Sequence, residues 1–525
     1  MRGGWGVRTI WLCFFARVCF YAAMLPVWEG YDEWSHFAVI RLVARGQALP
    51  PRDSPLPRDV GASLDLVPLP WAWRLADVPH MTHDEFWQLP RDPRDRRETA
   101  FRVLPRDWQW KDSEGTYRAH EAYQPPLYYW TMAPLMVLLG GAGIARQLLY
   151  VRWFGALLSS FTIPLAFLTA RELFSDQRIA LGCAAIVAVM PGFALVAGHA
   201  GNDSLAVALF SLLLWCGARI AGGKGTVRDQ LALGAALGLG LLTKAYFLTA
   251  LPAVAALAIW KLRWRAALPL ALALMIGGWW YARAYAETGT LTGLTDFMMA
   301  RDAHTNTLHQ ALGLPWAKAV DSILFSHLYS GGWSFLLVRS WMYHDFYLLA
   351  LGGLIGLTRV RRTAAMLWLA AVYACFWLGE LYHVWILWVS RGVATSMGYY
   401  LYAVVAAEVS LCTAGWLRLV RERWAAWVPA AAVSLFAALD LFAMHAVALP
   451  YYTGLIRHKP NGALESLHGA ALHGMGPGEV LHRIAAFKMP TLPVPMVCIL
   501  WMAYLAGTAV LVCGSARQAL LPRTK

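Results

Sequence analysis

About a dozen apolar segments of membrane-spanning length run through this chain and leave it few folds to adopt. They are separated by short polar stretches and centre near Phe15, Leu158, Ala188, Leu209, Leu237, Val254, Leu272, Leu351, Val372, Ala403, Ala432 and Ala503. Because lipid offers no partner for an unpaired backbone group, segments of this kind cross a bilayer as helices. The sequence therefore predicts an all-α polytopic membrane protein with about 12 transmembrane helices.

The composition excludes a soluble globule and argues against a nucleic-acid partner. Of the 525 residues, 58% are hydrophobic and only 14% are charged. The formal net charge is +14, but the basic residues fall in short clusters between apolar segments, as expected for cytoplasmic loops. All eight cysteines lie inside apolar segments, so the sequence predicts neither a disulfide framework nor a zinc site built on thiolates.

Charge also decides the placement of one ambiguous apolar run, residues 125–143. If this run does not cross the membrane, the basic clusters share the side of the N-terminus; they lie at 171–178, 219–228, 261–265, 359–362, 418–423 and 517–525. If it does cross, every one of these clusters lies outside. The positive-inside rule favours the first arrangement. We therefore predict a re-entrant or interfacial helix at 125–143, within the first outer loop.

On this topology both ends of the chain are cytoplasmic and three large loops lie outside. The predicted catalytic membrane core is residues 1–300, including the first outer loop at 28–146. Residues 301–525 form a C-terminal membrane region, and the other outer loops lie at 285–340 and 450–490. We expect juxtamembrane helices in these loops, since long loops are largely exempt from the charge rule.

Two carboxylates and an imidazole follow the first apolar segment, in the string YDEWSHF at residues 31–37. Ionisable groups at a membrane boundary are costly to desolvate, so a cluster of them is a functional-site hypothesis. In a helix, Asp32 and His36 would share a face because they are four residues apart. An amphipathic surface helix with an acidic first turn explains the string equally well.

Two further acidic clusters are predicted to reach the same outer face. At residues 120–126, HEAYQPP, a double proline holds Glu121 and Gln124 near the membrane surface. At residues 199–204, HAGNDS, Asn202 and its neighbours precede an apolar segment, where they could equally be plain helix caps. The convergence of three distant clusters on one face favours a common site.

Taken in order, these motifs resemble those of the GT-C glycosyltransferases, the polytopic relatives of protein O-mannosyltransferases and of the aminoarabinose transferases that act on lipid A. The resemblance rests on the pair Asp32 and Glu33, on the string QPPLYY at 124–129 and on the turn GNDS at 201–204. It covers roughly the first 300 residues. It implies a fold of the GT-C type.

Shorter matches continue this pattern, and one position departs from it. The matches are RELF at 171–174, LTK at 242–244 and GWWYAR at 278–283. Relatives often carry Gly-Arg-Tyr at the start of a late span, where this chain has Gly-Tyr-Tyr at 398–400. The departure removes an expected phosphate-binding arginine and leaves Arg391 as its substitute.

The resemblance implies a glycosyltransferase, a hexosyl or pentosyl transferase, whose donor is a sugar linked to polyprenyl phosphate. Its acceptor would be a protein, a lipid or a glycan. Asp32 would be the general base of a direct displacement that inverts the anomeric centre. Glu33, the second catalytic candidate, and His36 would orient Asp32 or bind sugar hydroxyls. The substrate-binding candidates are His36, Glu121, Gln124, Asn202 and Asp203, with Lys244, Arg283 and Arg391 for the lipid phosphate.

Metal use and two other functions stay open at this point. Some GT-C enzymes use a divalent ion, and Glu121, Asp203 and His304, with Asp32, are the candidate ligands, although no cofactor is certain. A lipid or glycolipid transporter is the main alternative function, but transporters keep their ionisable residues near the bilayer midplane rather than at one face. A non-catalytic scaffold is the other alternative function.

The expected location is a bacterial inner membrane, with the site facing the periplasm or exterior. Membrane lipids are the expected partners, and no nucleic acid is expected.

Overall fold

The computed structural model describes residues 6–52, 54–72, 80–107, 118–262, 267–303, 307–469 and 475–521. Within these ranges the regular secondary structure is helical, and extended pairing is limited to three isolated β-bridges. The predicted all-α fold class is confirmed. Of the candidate site residues, His304 lies outside the described residues.

Most of the described helices follow one another with short connections. In the first half they are α1 Val7–Met24, α2 Glu33–Ala44, α3 Arg58–Leu66, α4 His83–Gln88, α5 Arg91–Arg102, α6 Leu127–Leu138, α7 Ile144–Ser160, α8 Thr162–Leu173, α9 Gln177–Val189, α10 Pro191–Ala197, α11 Asp203–Ala221, α12 Val227–Leu241 and α13 Leu251–Leu257. In the second half they are α14 Ala267–Ala273, α15 Trp279–Thr288, α16 Thr295–Asp302, α17 Thr307–Leu312, α18 Trp316–Leu328, α19 Ser340–Leu357, α20 Ala364–Arg391, α21 Val405–Leu419, α22 Trp427–Phe442, α23 Leu449–Tyr452, α24 Pro477–Ala485 and α25 Val494–Leu520.

Tighter and wider helical turns join several of these helices. The 3₁₀ turns lie at His120–Tyr123, Ala245–Ala250, Gly332–Ser334, Gly398–Val404 and Glu422–Trp424, and the π turns at Ala258–Leu262, Leu274–Gly278 and Ala443–Ala448. Turns of these kinds often mark strain or function within helices. Two of the 3₁₀ turns, His120–Tyr123 and Ala245–Ala250, reappear below in the walls of a cavity.

Seven of the described helical segments are long and apolar enough to cross a membrane, or eight if the bent pair α9 and α10 is counted as one. Every predicted centre lies in a helical segment, but four of these segments are shorter, interrupted or more polar at one end. The segment around Leu272, for example, is divided by a π turn, and α19 carries His344 and Asp345 near its start. The prediction of about 12 spans thus counted every apolar segment, and some of these segments are not continuous helices of spanning length. The chain is an integral membrane protein.

The N-terminal helix lies at the centre of the bundle. It packs against α7, α9, α10 and the C-terminal helix α25. An Arg17 nitrogen lies 2.9 Å from an Asp440 oxygen, and Tyr504 donates a 2.6 Å hydrogen bond to the same carboxylate. Removing one partner of a fully buried pair leaves a charge uncompensated, so this cluster ties α1, α22 and α25 together.

The two ends of the bundle carry different loops. At one end Lys224 Nζ lies 2.8 Å from a carboxylate oxygen of Glu172, and Arg178 donates to the backbone carbonyl of Leu521. These contacts gather loops that the charge pattern assigns to the cytoplasm, so we call this the inner end. The opposite end, called the outer end, carries the first long loop and the cavity described below.

The described part of the first long loop folds into a helical layer with its own apolar core. This layer includes α2 to α6, and its core contains Trp28, Phe37 and Tyr128. The Trp28 and Phe37 rings meet edge to face with centroids 5.2 Å apart. The prediction of juxtamembrane helices in this loop is confirmed.

The ambiguous apolar run forms only the 12-residue helix α6. At 1.5 Å per residue such a helix rises about 18 Å, short of the roughly 30 Å hydrocarbon core. Leu127 at its start donates a 2.8 Å hydrogen bond to the carbonyl of Leu242. A length below one span supports the re-entrant or interfacial placement of this segment.

Candidate active site at the outer end of the bundle

A cavity of about 1410 Å³ opens at the outer end. One wall is formed by Asp32, the 3₁₀ turn His120–Tyr123 and the segment that begins at Lys244. The other is formed by α16, α18, α20 and the segment 393–400. Of the predicted site residues, the cavity is lined by Asp32, Glu121, Gln124, Lys244 and Arg391.

Asp32 is held in an unusual backbone conformation immediately before α2. Its φ is 50° and its ψ 23°, in the left-handed region that costs an L-residue roughly 1–2 kcal/mol. Its carbonyl accepts hydrogen bonds from the backbone nitrogens of Ser35 and His36. The expectation that Asp32 and His36 share a helical face is therefore wrong, because Asp32 precedes the helix. Strain of this kind recurs at functional sites.

Three titratable groups meet beside the cavity. Nε2 of His120 lies 3.4 Å from Asp32 Oδ1 and 3.6 Å from Glu121 Oε1. Burial lowers the pKa of His120, but the hydrogen bond to Asp32 and the charge of Glu121 outweigh it and raise this pKa to about 9. Burial also raises the pKa of Glu121 above its ordinary value, against the opposing effect of His120. At neutral pH His120 is therefore a cation beside Asp32.

These same groups fit a divalent ion. One ligand atom each from Asp32, His120 and Glu121 can be chosen so that all lie within 4.8 Å of one another. Carboxylate oxygens and imidazole nitrogen suit several divalent ions. This group shares Asp32 and Glu121 with the predicted set of metal ligands and adds His120. Asp203 of the predicted set forms an ion pair with Lys244, and His304 lies outside the described residues.

Glu33 is not in the cavity, although it follows Asp32 directly. Its side chain is fully buried, and its two oxygens accept hydrogen bonds of 2.7 and 2.6 Å from Arg152 on α7. The backbone nitrogen of Ala200 donates a further 2.8 Å bond. Burial raises the pKa of Glu33, but Arg152 outweighs it and lowers this pKa. Glu33 therefore anchors the loop that presents Asp32.

His36 lies behind Glu121 and is buried. Its Nδ1 is 2.9 Å from the Tyr129 hydroxyl, and its Nε2 is 3.7 Å from Glu121 Oε2. Burial, with the positive charges of Lys244, His199 and His120, holds the pKa of His36 well below its usual range. A neutral His36 supports Glu121 from the side away from the cavity.

Lys244 carries a buried positive charge to the cavity wall. Its Nζ lies 2.6 Å from Asp203 Oδ2 and 4.9 Å from the centroid of the Tyr400 ring. Asn202 donates through its side chain to the carbonyl of Thr243. Asp203 and Asn202 thus lie behind Lys244 rather than on the cavity surface, contrary to a direct contact with substrate. Both residues instead stabilise the turn that carries Lys244.

The two predicted arginines lie in different places. Arg391, at the end of α20, pairs with Asp296 of α16, and both line the cavity. Arg283 pairs with Glu287 one helical turn on, at 2.6 Å, and is not part of the lining. The structure therefore brings Arg391, but not Arg283, to the site.

Sequence reasoning missed residues that the structure brings to the site or next to it. His120 stands in a motif already noted, but its contact with Asp32 crosses 88 positions of the chain. Arg152 is a charged residue inside an apolar segment, which is a usable signal on its own. Glu380 gives the same signal within α20 and lines the cavity.

This arrangement defines a class of protein: a polytopic helical membrane protein with a cavity at one end that carries charged groups on a largely aromatic and aliphatic wall. Residues 123–278 match the family model described as dolichyl-phosphate-mannose-protein mannosyltransferase. The segment lies within the predicted core and includes the strings QPPLYY, RELF, GNDS and LTK. The resemblance to the GT-C superfamily is confirmed by this match and by the curated relatives.

The curated relatives are undecaprenyl phosphate-alpha-4-amino-4-deoxy-L-arabinose arabinosyl transferases. That of Pseudomonas aeruginosa strain UCBPP-PA14 is 32% identical over 150 residues, or 27% of this chain and 26% of the relative. The transferase 1 of Pseudomonas fluorescens strain Pf-5 is 34% identical over 204 residues, or 38% of this chain and 31% of the relative. The chain spans only about a quarter to a third of the length of these relatives.

Solved structures are similar to the chain at a lower level. ArnT from Cupriavidus metallidurans in the apo state has 15% identity and a TM-score of 0.42, covering 92% of this chain and 76% of that chain. The oligosaccharyltransferase AglB from Archaeoglobus fulgidus has 12% identity and a TM-score of 0.36, covering 93% of this chain and 56% of that chain.

Proposed function

We propose that this protein transfers a sugar from a polyprenyl-phosphate-linked donor to an acceptor at the outer face of the membrane. The observation that carries the proposal is the cavity in which Asp32 and Lys244 lie on one wall, beside apolar side chains of the other. An amphiphilic donor needs such a mixture of charged and apolar lining. The curated relatives, named as transferases with an undecaprenyl phosphate-linked donor, support the same substrate class.

Asp32 is the general base in this proposal. A hydroxyl of the acceptor must lose its proton as it attacks the anomeric carbon, and a carboxylate within hydrogen-bond reach can take it. His120 Nε2 lies 3.4 Å from Oδ1 of Asp32, which leaves the other carboxylate oxygen for the acceptor. The attack and the departure of the phosphate occur in one displacement, so the anomeric centre is inverted.

Lys244 stabilises the leaving phosphate. Its ammonium is fixed by Asp203 and by the Tyr400 ring, so little reorganisation is needed when negative charge develops nearby. Arg391 lies further along the same cavity, paired with Asp296. Gln124 also lines the cavity and offers an uncharged donor and acceptor to the substrate.

A divalent ion has a fitting site in the same cavity. Asp32, His120 and Glu121 would hold it once His120 has released its proton, and when bound it would supply positive charge to the leaving phosphate. We expect Mn²⁺ titrated into the metal-free protein to bind at one ion per chain and the His120→Ala variant to bind it at least about 10-fold more weakly. Equal affinity in the two proteins would place any bound ion elsewhere.

We also propose that the site faces the exterior of the cytoplasmic membrane, which in a bacterium is the periplasm. The clusters of basic residues at the inner end support this orientation. A cysteine introduced at Asp302 should react with a membrane-impermeant thiol reagent in intact cells, and one at Lys224 should not. The reverse pattern would overturn the orientation.

Transfer from undecaprenyl phosphate-linked radiolabelled sugar tests the function, with the full chain reconstituted in lipid. Asp32→Asn keeps the shape of the side chain but cannot accept a proton, so we expect transfer to fall by roughly 100-fold or more while the protein level stays the same. Asp92→Asn, the same substitution at an exposed position of α5, is the matched control.

The two outcomes that contradict the proposal differ in what they imply. Transfer by Asp32→Asn at the wild-type rate would remove Asp32 as the base. A wild-type protein that moves the labelled lipid between leaflets without releasing its sugar would be a transporter, and the transferase proposal would fail as a whole.

A further inference from the structure

The long helix α20 carries an acidic residue into the cavity wall. Glu380 lies within a 28-residue apolar helix that qualifies as a membrane span, and it lines the cavity together with Gly379 and His383. An ionisable group in such a helix is expensive, so its presence requires a partner or a ligand.

Glu380 differs from the other buried carboxylates of the described chain. Of the others at membrane depth or in the outer layer, four pair with a lysine or arginine: Glu33 with Arg152, Asp59 with Arg41, Asp203 with Lys244 and Asp440 with Arg17. The remaining two face histidines, Glu29 with His83 and Glu121 with His120 and His36. Glu380 is only 5% exposed, yet the structure gives it no ion pair within the described residues. Its hydrogen bond there comes from Ser396 Oγ.

The surroundings of Glu380 bring it close to the proposed phosphate site. His383, one helical turn on, has its ring centroid 6.1 Å from that of Tyr400, and Lys244 Nζ lies over the same Tyr400 ring. Gly379 permits this close packing, because a Cβ there would lie 2.3 Å from the Thr249 side chain. The segment that follows Lys244 therefore packs directly against α20 beside Glu380.

We propose that Glu380, with His383, binds hydroxyl groups of the sugar that is transferred. This inference rests on the proposed function and names the part of the same cavity that selects the sugar. A carboxylate offers about four acceptor positions, of which Ser396 uses one, and sugar hydroxyls are donors of matching size. A hydrogen bond to Ser396 alone does not explain a carboxylate here, because an uncharged glutamine would accept it equally well.

The variant Glu380→Gln separates these two roles. It preserves the shape and the bond from Ser396 but removes the charge-assisted hydrogen bonds to a ligand. The probes are bare undecaprenyl phosphate and the same lipid carrying either 4-amino-4-deoxy-L-arabinose or mannose. We expect the affinity for the better-bound sugar-carrying lipid to fall about 10-fold, with the affinity for bare undecaprenyl phosphate unchanged within about twofold.

Two further variants keep the test decisive. Glu408→Gln removes a carboxylate from another span, beside His327 at 2.9 Å and away from the cavity lining, and should change neither affinity. His383→Ala should also lower the affinity for the sugar-carrying lipid more than the affinity for the bare lipid. This variant takes the place of Glu380→Gln in the test if Glu380→Gln does not fold.

The possible failures can be told apart. Suppose that wild-type protein transfers sugar and that Glu380→Gln changes the affinities for the bare and the sugar-carrying lipid equally, or changes neither. The proposed sugar subsite is then wrong, and the proposed transferase function is retained. If wild-type protein binds none of the three lipids, both the proposed function and the proposed sugar subsite are wrong.

Discussion

The two walls of the cavity hold their charged groups in different ways. On the wall formed by the N-terminal part of the chain, Asp32 has His120 beside it and Lys244 has Asp203 behind it. On the wall formed by α20, Glu380 lies without an ion pair in the described structure and Arg391 meets Asp296 at the end of the helix. The first wall is fixed before any ligand arrives, while the second leaves a carboxylate to be satisfied by one.

This difference matches a division of labour. Groups that carry out chemistry or bind a constant part of the substrate gain from preorganisation, because no reorganisation is then needed during reaction. Groups that select among sugars need an unsatisfied acceptor, since discrimination comes from buried polar groups left unpaired by the wrong ligand. The family-model match at residues 123–278 takes in Gln124 and Lys244 of the first wall and no part of α20.

The largest expected effect outside catalysis concerns the anchor of the first wall. Arg152→Leu would leave the Glu33 carboxylate buried without its cation and remove the hydrogen bonds that Arg152 donates to the carbonyls of Ala22, Leu25 and Pro26. We expect the free energy of unfolding to fall by about 3–5 kcal/mol. Denaturant unfolding in detergent would measure this loss.

A matched control lies on the same helix. Arg146→Leu changes an exposed arginine near the start of α7 and should alter the free energy of unfolding by less than about 0.5 kcal/mol. Equal stability of the two variants would show that the first wall does not depend on the Glu33–Arg152 pair.

A smaller effect should distinguish Lys244 from its partner. Lys244→Gln removes the cation, so we expect the affinity for undecaprenyl phosphate to fall roughly 10-fold or more. Asp203→Asn breaks the same pair but keeps the cation, so affinity should be retained or increase. Lipid binding measured for both variants would test this, and a greater loss in Asp203→Asn would assign the ligand contact to the carboxylate instead.

The smallest expected effect is a pH dependence of stability. His120 has its pKa raised to about 9 in the folded protein, above the ordinary value of 6.5, so folding favours its protonated form. Its contribution to stability is fully present below pH 6.5 and is lost as the pH rises through about 9. Thermal melting of wild type and His120→Gln in EDTA should therefore show a difference that shrinks between pH 6.5 and pH 9. A difference that grows over this range would contradict the His120–Asp32 contact.

The motifs predicted much of the first wall and little of the second. Asp32, Glu121, Gln124 and Lys244 were found from short strings, because local signals such as paired carboxylates and a double proline mark them. Asn202 and Asp203, predicted to bind substrate, instead support the turn that carries Lys244. Glu33, predicted to orient Asp32 or bind sugar hydroxyls, is buried against Arg152 behind the site. Spacing along the chain cannot tell a residue on a cavity surface from its buried neighbour.

The sequence by itself determined the helical fold class, the membrane environment and the separation of basic loops from acidic motifs. These follow from hydropathy and charge, which act on each segment independently of its distant neighbours. Only the tertiary structure decided that His120 meets Asp32, that Arg152 neutralises Glu33 and that Glu380 reaches the cavity with no ion pair among the residues that the structure describes. Each of these depends on contacts between residues far apart in the chain, which packing alone brings together.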